Sequence, residues 1–178
     1  MKPRALTHHQ LLADHNHSIK VFVADRDPNG LKDLTTSLNK DGDQRIWTSE
    51  VNVAEWDSQR LAFEKCLEVF NGQLDYVFPI AGIGERRSFP NRPNSTGFEK
   101  PDLSVIEVDE IGVIYTAWLG VQHFRRQKKN QYGWKGKSMF VELTYKPDSA
   151  KLTRIGSFAC SIYLRLLHPH TNTAVYCS

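Results

Sequence analysis

The side chains best suited to chemistry are thinly spread in this sequence. His8, His9, His15 and His17 crowd the first twenty residues, and imidazoles at that density invite a transition metal. On a helix His8 and His15 share a face, yet no neighbouring Cys or Glu completes a ligand set, so solvent-facing histidines are expected and no metal site is assigned. His168 and His170 offer two ligands at most. The three cysteines, Cys66, Cys160 and Cys177, lie far apart with no CxxC spacing. That argues against a disulfide framework or zinc knuckle and fits a reducing compartment. GxSxG is absent, and Cys66 falls on the apolar stripe of a helix, where a thiol packs as a small hydrophobe. The basic run Arg125-Arg126-Gln127-Lys128-Lys129, extended by Lys135 and Lys137, has no aromatic stacking platform or reading helix beside it. Cations there complement the end of a long helix, so nucleic acid is not an expected partner.

A further chemical group, the acid Asp25, closes a short β-branched run, and it needs elements to position it. Ile19 to Asp25 is a β-branched run that predicts a buried strand. Asp27 can cap the following helix, Pro28 suits its first turn, and Leu31, Leu34 and Leu38 give it an inner face, with Asp41-Gly42 closing it. Arg45 to Val53 is a second strand. Asp57 is the expected cap of a second helix, with Leu61, Phe63, Cys66, Leu67 and Phe70 as its stripe and Asn71-Gly72 ending it. Leu74 to Pro79 is a third strand. Strand and helix alternating at this pitch imply a parallel sheet covered on both faces. Residues 85–102 read as a surface loop. A long helix follows, Leu103 to Lys128, with Val105, Val108, Ile111, Ile114, Trp118, Val121 and Phe124 on its buried side. Phe140 to Tyr145 predicts a fourth strand and Ile155 to Leu167 a helix. The division expected is a domain over 1–145 and a C-terminal tail over 146–178.

At 178 residues, with 40% hydrophobic and 24% charged side chains, the chain is one globular domain in size and composition. A formal charge of +3 gives no strong field. No apolar stretch approaches bilayer length and no secretory leader is visible, so a cytoplasmic location away from membranes is expected.

Taken in order, these segments resemble the short-chain dehydrogenase/reductase family over roughly residues 5 to 140. Val21-Phe-Val-Ala-Asp25-Arg26 is similar to the family's second strand, whose terminal acid holds the adenosine ribose. Val51-Asn52-Val53 with Trp56-Asp57 resembles its third-strand motif near the adenine. Asp75 to Ala81-Gly82-Ile83-Gly84 resembles its Asn-Asn-Ala-Gly segment, and Pro101 to Thr116 its long fourth helix. Gly136-Lys137 resembles the lead-in to its fifth strand. The wording is nearest to fungal members acting in secondary metabolism. The resemblance implies a Rossmann-like three-layer α/β sandwich with a parallel sheet. It also implies NAD(P), with Asp25 favouring NAD by repelling a 2′-phosphate and Arg26 tempering that preference. The implied substrate is a small lipophilic molecule whose hydroxyl or carbonyl is oxidised or reduced. Cofactor-binding residues carried over are Asp25, Arg26, Asn52, Val53, Ala81, Gly82 and Ile83.

The departures from the family are specific. No glycine precedes Gly30, so its first strand and glycine-rich phosphate turn have no counterpart. The family's Tyr with a Lys four residues on is also unmatched: Tyr132 is followed at that place by Gly136, Tyr145 by Ser149 and Tyr163 by Leu167. Thr144 stands nearest to the catalytic Ser, Asp109 falls where the family has a helix Asn, and Ile80 where it has an Asn before Ala-Gly. No catalytic residue is assigned, and hydride transfer by these residues is not expected. A missing first strand leaves a gap in mid-sheet, which must close up, be filled by another segment or stay sticky; marginal stability is the expectation. Two readings stand: a remnant or incompletely assembled reading frame of a dehydrogenase, or a non-catalytic module docking a like or unlike chain through helix 103–128.

Overall fold

The computed structural model describes residues 19–39, 44–84, 96–131, 133–138 and 161–166. Strand β1 (Ile19–Asp25) leads to helix α1 (Pro28–Leu38), β2 (Ile46–Glu50), α2 (Trp56–Val69) and β3 (Tyr76–Pro79). A helical run then passes through α3 (Ser104–Ile106), a π-helical stretch (Glu107–Gly112) and α4 (Val113–Arg126), before β4 (Lys137–Ser138) and β5 (Ser161–Leu166).

One five-stranded sheet has the order β2-β1-β5-β3-β4. β1 and β2 are parallel, Val21 level with Ile46 and Asp25 with Glu50. β3 and β4 are also parallel. Between these pairs runs β5, antiparallel to both, with Ala24 and Pro79 each level with Ser161. The expected parallel sheet is therefore a mixed one, and the expected helix over 155–167 is, at 161–166, a strand. An extended six-residue segment there satisfies two sheet edges at once, which a helix could not do. The mid-sheet gap is filled, so the unpaired edges on which an expectation of marginal stability rested are paired.

The core follows the two-residue period of the strands. Val21, Val23, Ile46 and Phe78 pack with Leu31 on one face, with Leu34 and Leu38 of α1 against them. Phe22, Ala24 and Val77 pack on the other with Ala62, Phe63 and Cys66 of α2 and Leu119 and Phe124 of α4. Helices thus cover both faces and the sandwich has three layers.

Local chemistry explains most boundaries. The Asp27 carboxylate accepts the Asn29 N–H at 3.0 Å and Pro28 opens α1. Asn39 ends that helix, its amide oxygen accepting the N–H groups of Arg45 and Ile46; the expected closing pair Asp41-Gly42 lies outside the described residues. At α2 the cap is Glu55, not Asp57, which sits in the first turn and reaches Arg60 at 3.3 Å. Asn71 and Gly72 take positive φ (51° and 73°) and end α2 as expected.

Two apolar stripes are phased differently from expectation. In α2 the buried row is Gln59, Ala62, Phe63 and Cys66, continuing to Phe70, and Leu61 is 57% exposed. In the long helix Ile114 and Trp118 are exposed, while Val108, Gly112, Thr116, Leu119, Gly120 and Phe124 face inward. The π-helical stretch fits more residues into a turn than an α-helix does, so a 3.6-residue count carried across it loses phase. The fourth strand is the short Lys137–Ser138. The expected strand at 140–145, the residues Thr144 and Tyr145, and His8, His9, His15, His17, His168 and His170 lie outside the described residues, as do Cys160 and Cys177.

Candidate cofactor site

Because β1 is parallel to β2, and β1 and β3 are both antiparallel to β5, the three strands end on one edge of the sheet. Asp25, the segment Glu50 to Val53 and the segment Ala81 to Ile83 are therefore gathered there. β1 and β3 lie two strand spacings apart, roughly 9–10 Å.

The Asp25 carboxylate is half-buried. Its Oδ1 accepts the Asp27 N–H at 2.9 Å and its backbone carbonyl accepts the Val51 N–H at 2.9 Å. Arg26 is exposed beside it, and the register sets the exposed Glu50 alongside. Asp25 and Glu50 thus set two acids side by side at this corner. Asn52 is used locally, its amide nitrogen donating to Glu55 Oε1 at 2.7 Å and its amide oxygen accepting the Ala54 N–H. Val53 and Ala81 belong to the core, 4% and 7% exposed. Gly82 and Ile83 are half-buried. The Ile83 N–H is fixed by Asp109 Oδ1 at 2.9 Å, so Asp109 clips the loop after β3 to the π-helical stretch.

Below this edge lies a polar cluster that the sequence reading missed. Gln59, 1% exposed, donates from Nε2 to the carbonyls of Val53 (2.6 Å) and Gly112 (2.8 Å). Thr116 Oγ1 donates to Gln59 Oε1 at 2.6 Å. A Cβ on Gly112 would come within 3.1 Å of Val53, so the helix backbone lies directly against the loop after β2. The available signal was phase: Gln59 stands in the buried row of α2, three and four residues before Ala62 and Phe63. The Cys66 thiol is fully enclosed, and burial pushes its pKa up well away from a reactive thiolate.

The family resemblance implies NAD(P), and the described residues fit one end of it only. Asp25 suits a ribose diol. A dinucleotide's phosphates need backbone donors from a glycine turn and a helix N-terminus at the carboxyl end of the central strand. Here that edge carries the amino end of β5, since Ser161 is level with Ala24 and Pro79, and the carboxyl end of β5 lies at the opposite edge. β5 cannot lead into a phosphate-binding turn at the site. Pyrophosphate and nicotinamide are not accommodated by the described residues. Among those residues no group of three or more His, Cys, Asp or Glu side chains is placed to hold a metal, and no helix is long and apolar enough to cross a membrane.

No family model matches the chain. It is 32% identical over 88 residues to the short-chain dehydrogenase/reductase prx7 of Penicillium rubens, covering 46% of this chain and 31% of that protein. It is 25% identical over 153 residues to the short-chain dehydrogenase/reductase ascJ of Acremonium egyptiacum, covering 80% of this chain and 50% of that one. The chain thus spans about a third to a half of the length of these relatives. Among solved structures it is similar to an alcohol dehydrogenase from Thermococcus sibiricus complexed with 5-hydroxy-NADP (TM-score 0.48, 22% identity, 58% of this chain and 41% of that one). A second is a short-chain dehydrogenase/reductase from Burkholderia phymatum in complex with NAD (TM-score 0.47, 20% identity, 58% and 34%). The expected resemblance to fungal short-chain dehydrogenases/reductases is met over the shared part of the chain.

Proposed function

We propose that this chain, a partial relative of the fungal short-chain dehydrogenases/reductases, carries the adenosine-side half of an NAD(P)-dependent oxidoreductase site for the hydroxyl or carbonyl of a small lipophilic molecule. Within these residues it recognises a nucleoside without transferring hydride. The observation that carries this reading is Asp25, at the carboxyl end of β1 beside Glu50, where a carboxylate can accept both hydroxyls of a ribose and repel a 2′-phosphate. Among the described residues no phosphate cradle accompanies it, and the sequence has no Tyr followed four places on by Lys, so on this reading the dinucleotide gains nothing over its nucleoside part.

Isothermal titration with adenosine, NAD and NADP tests this. Adenosine and NAD should bind with similar affinity, NADP more weakly, and Asp25→Ala should weaken the first two about tenfold, the loss of a charge-assisted pair of hydrogen bonds. Absence of adenosine binding, or NAD binding far tighter than adenosine, sinks the reading. Turnover of a carbonyl compound with NADH would sink it too.

A second reading, a module docking through its long helix, is favoured by one observation. Ile106, Ile114 and Trp118 are exposed at 45%, 63% and 49% along one helical run. Glu107 and Glu110 stand exposed towards its start and Arg125 and Arg126 at its end. Two copies packed antiparallel would set Ile114 against Trp118 and Glu107 against Arg125, an isologous and charge-complementary contact.

A further inference from the structure

β1 and β3 form the two walls of a slot in the middle of the sheet. On the outer side β1 is paired by β2 and the Tyr76–Val77 part of β3 by β4, and β1 and β3 do not bond each other. On the inner side β1 offers a ladder from Ile19 to Ala24 and β3 one from Tyr76 to Pro79. With β5 in place the walls are buried: Val21, Phe22, Val23 and Ala24 are 3%, 0%, 2% and 0% exposed, and Val77 and Phe78 are 0% and 4%. An emptied slot would bare these apolar side chains along with the ladder groups, and each ladder group left without a partner costs about 1–3 kcal/mol. The slot therefore selects for an extended segment of about six residues.

Its faces are specified as well. Residues of β1 and β3 that share a level in the ladder belong to the same core cluster: Phe22 and Val77 both stand level with Tyr163 and pack towards α2 and α4. Val23 and Phe78 both stand level with Ile162 and pack towards α1. A strand entering one residue out of register would exchange all its side chains between the two faces.

We propose that the slot between β1 and β3 is a strand-binding site, filled in cis by β5 and open to the same strand from a second copy of this chain. Residues 139–160 join β4 to β5, a stretch of 22 residues read from the sequence, with a reach of up to about 70 Å. The sideways step from β4 over β3 into the slot is only about 10 Å, so the connection does not dictate which copy supplies the strand. The ladder bonds are the same either way. What favours the cis strand is its tether, which holds it at an effective concentration on the order of millimolar. At micromolar protein the slot is self-filled; with the cis strand disabled, it takes one in trans.

The test uses the full chain and a fluorescein-labelled peptide with the sequence of residues 161–166. Tyr163→Pro puts a residue without an N–H and with a clashing ring into the middle of a central strand, which evicts β5. The variant should bind the peptide saturably by anisotropy, about tenfold or more tightly than the wild type does. The same peptide carrying proline at the third position should bind neither protein. Equal peptide binding by both proteins, or by neither, overturns the proposal. Hydrogen exchange of the wild type guards against a variant that merely fails to fold. Amides in 21–24 and 77–78 should be among the slowest in the chain, and exchange there as fast as at an unpaired edge also overturns it.

Discussion

At the level of single residues, the site is tied together by one side chain that does no chemistry. Gln59 holds the carbonyls of Val53 and Gly112 and takes the Thr116 hydroxyl, so it locks the loop after β2, helix α2 and the π-helical stretch into one unit. Gln59→Leu keeps the volume and removes all three bonds, leaving the Val53 carbonyl without its side-chain donor while the Gly112 carbonyl keeps the Thr116 hydroxyl at 3.0 Å; chemical denaturation should show a loss of about 1–3 kcal/mol. Gln59→Glu should cost more at neutral pH, because a carboxylate cannot donate to those carbonyls and brings a buried charge to them. A loss below about 0.5 kcal/mol for both variants would mean that water reaches the cluster. Sequence reading picked out Asp25 because it closes a short β-branched run, while Asn52-Val53 and Ala81-Gly82-Ile83 came only from the family resemblance. Gln59 was passed over because a polar residue inside an apolar row looks like a gap, when here it is the donor to two backbone carbonyls, one on the loop after β2 and one on the π-helical stretch.

The elements themselves were legible wherever one period held from end to end. β1 ends at Asp25 and α1 begins at Pro28 under its Asp27 cap, because both signals are local to a few residues. The long helix shows the opposite case: its buried row changes phase at Glu107–Gly112, and no local residue announces that turn. Two glycines on its inner side report how tightly it packs. A Cβ at Gly112 would meet Val53 Cγ2 and the Val53 carbonyl at 3.1 Å, and the carbonyl is part of a fixed loop. At Gly120 the nearest atoms are Ser138 Oγ and Val77 Cγ2 at 3.3 Å, side-chain atoms that can give slightly. Alanine gains up to about 1 kcal/mol of helix propensity at either position. Gly120→Ala should therefore be close to neutral, while Gly112→Ala should lose about 1–2 kcal/mol net of that gain. Thermal melts of the two variants side by side check this, and equal shifts would contradict the close approach at Val53. β5 was read as a helix for a related reason. Its six residues are satisfied by β1 and β3, more than 80 positions upstream, and nothing nearby in sequence signals that pairing.

Over the whole molecule, two contacts decide how the chain behaves as a particle. The exposed row Ile106, Ile114 and Trp118 is the widest apolar feature of the long helix, and Arg125 lies 5.8 Å from the Trp118 ring, capping one end. If two copies meet there, Trp118→Glu should turn a sedimenting dimer into a monomer without changing the melting temperature of the dilute protein; a wild type that is monomeric at 100-fold the working concentration ends that idea. The second contact joins the end of α4 to the turn before β3. His123 Nε2 lies 2.8 Å from Gln127 Oε1, which also accepts the Leu74 N–H, so the imidazole is the donor. Its ring stands edge-on to Phe63 at 5.9 Å. Burial lowers the His123 pKa below the ordinary 6.5, the bonds to Gln127 and the Gly72 backbone offsetting only part of the shift and Arg126 adding to it. The unfolded chain then binds a proton more readily than the folded one, so this contribution is complete above pH 6.5 and shrinks as pH falls through that value towards the lower folded pKa. Histidines elsewhere add their own pH dependence, but they are common to wild type and variant and cancel in the difference. Urea unfolding between pH 7.5 and 5 should show stability falling more steeply with acid in the wild type than in His123→Gln. Parallel pH profiles for the two proteins would show that His123 takes up its proton as freely in the folded chain as in the unfolded one.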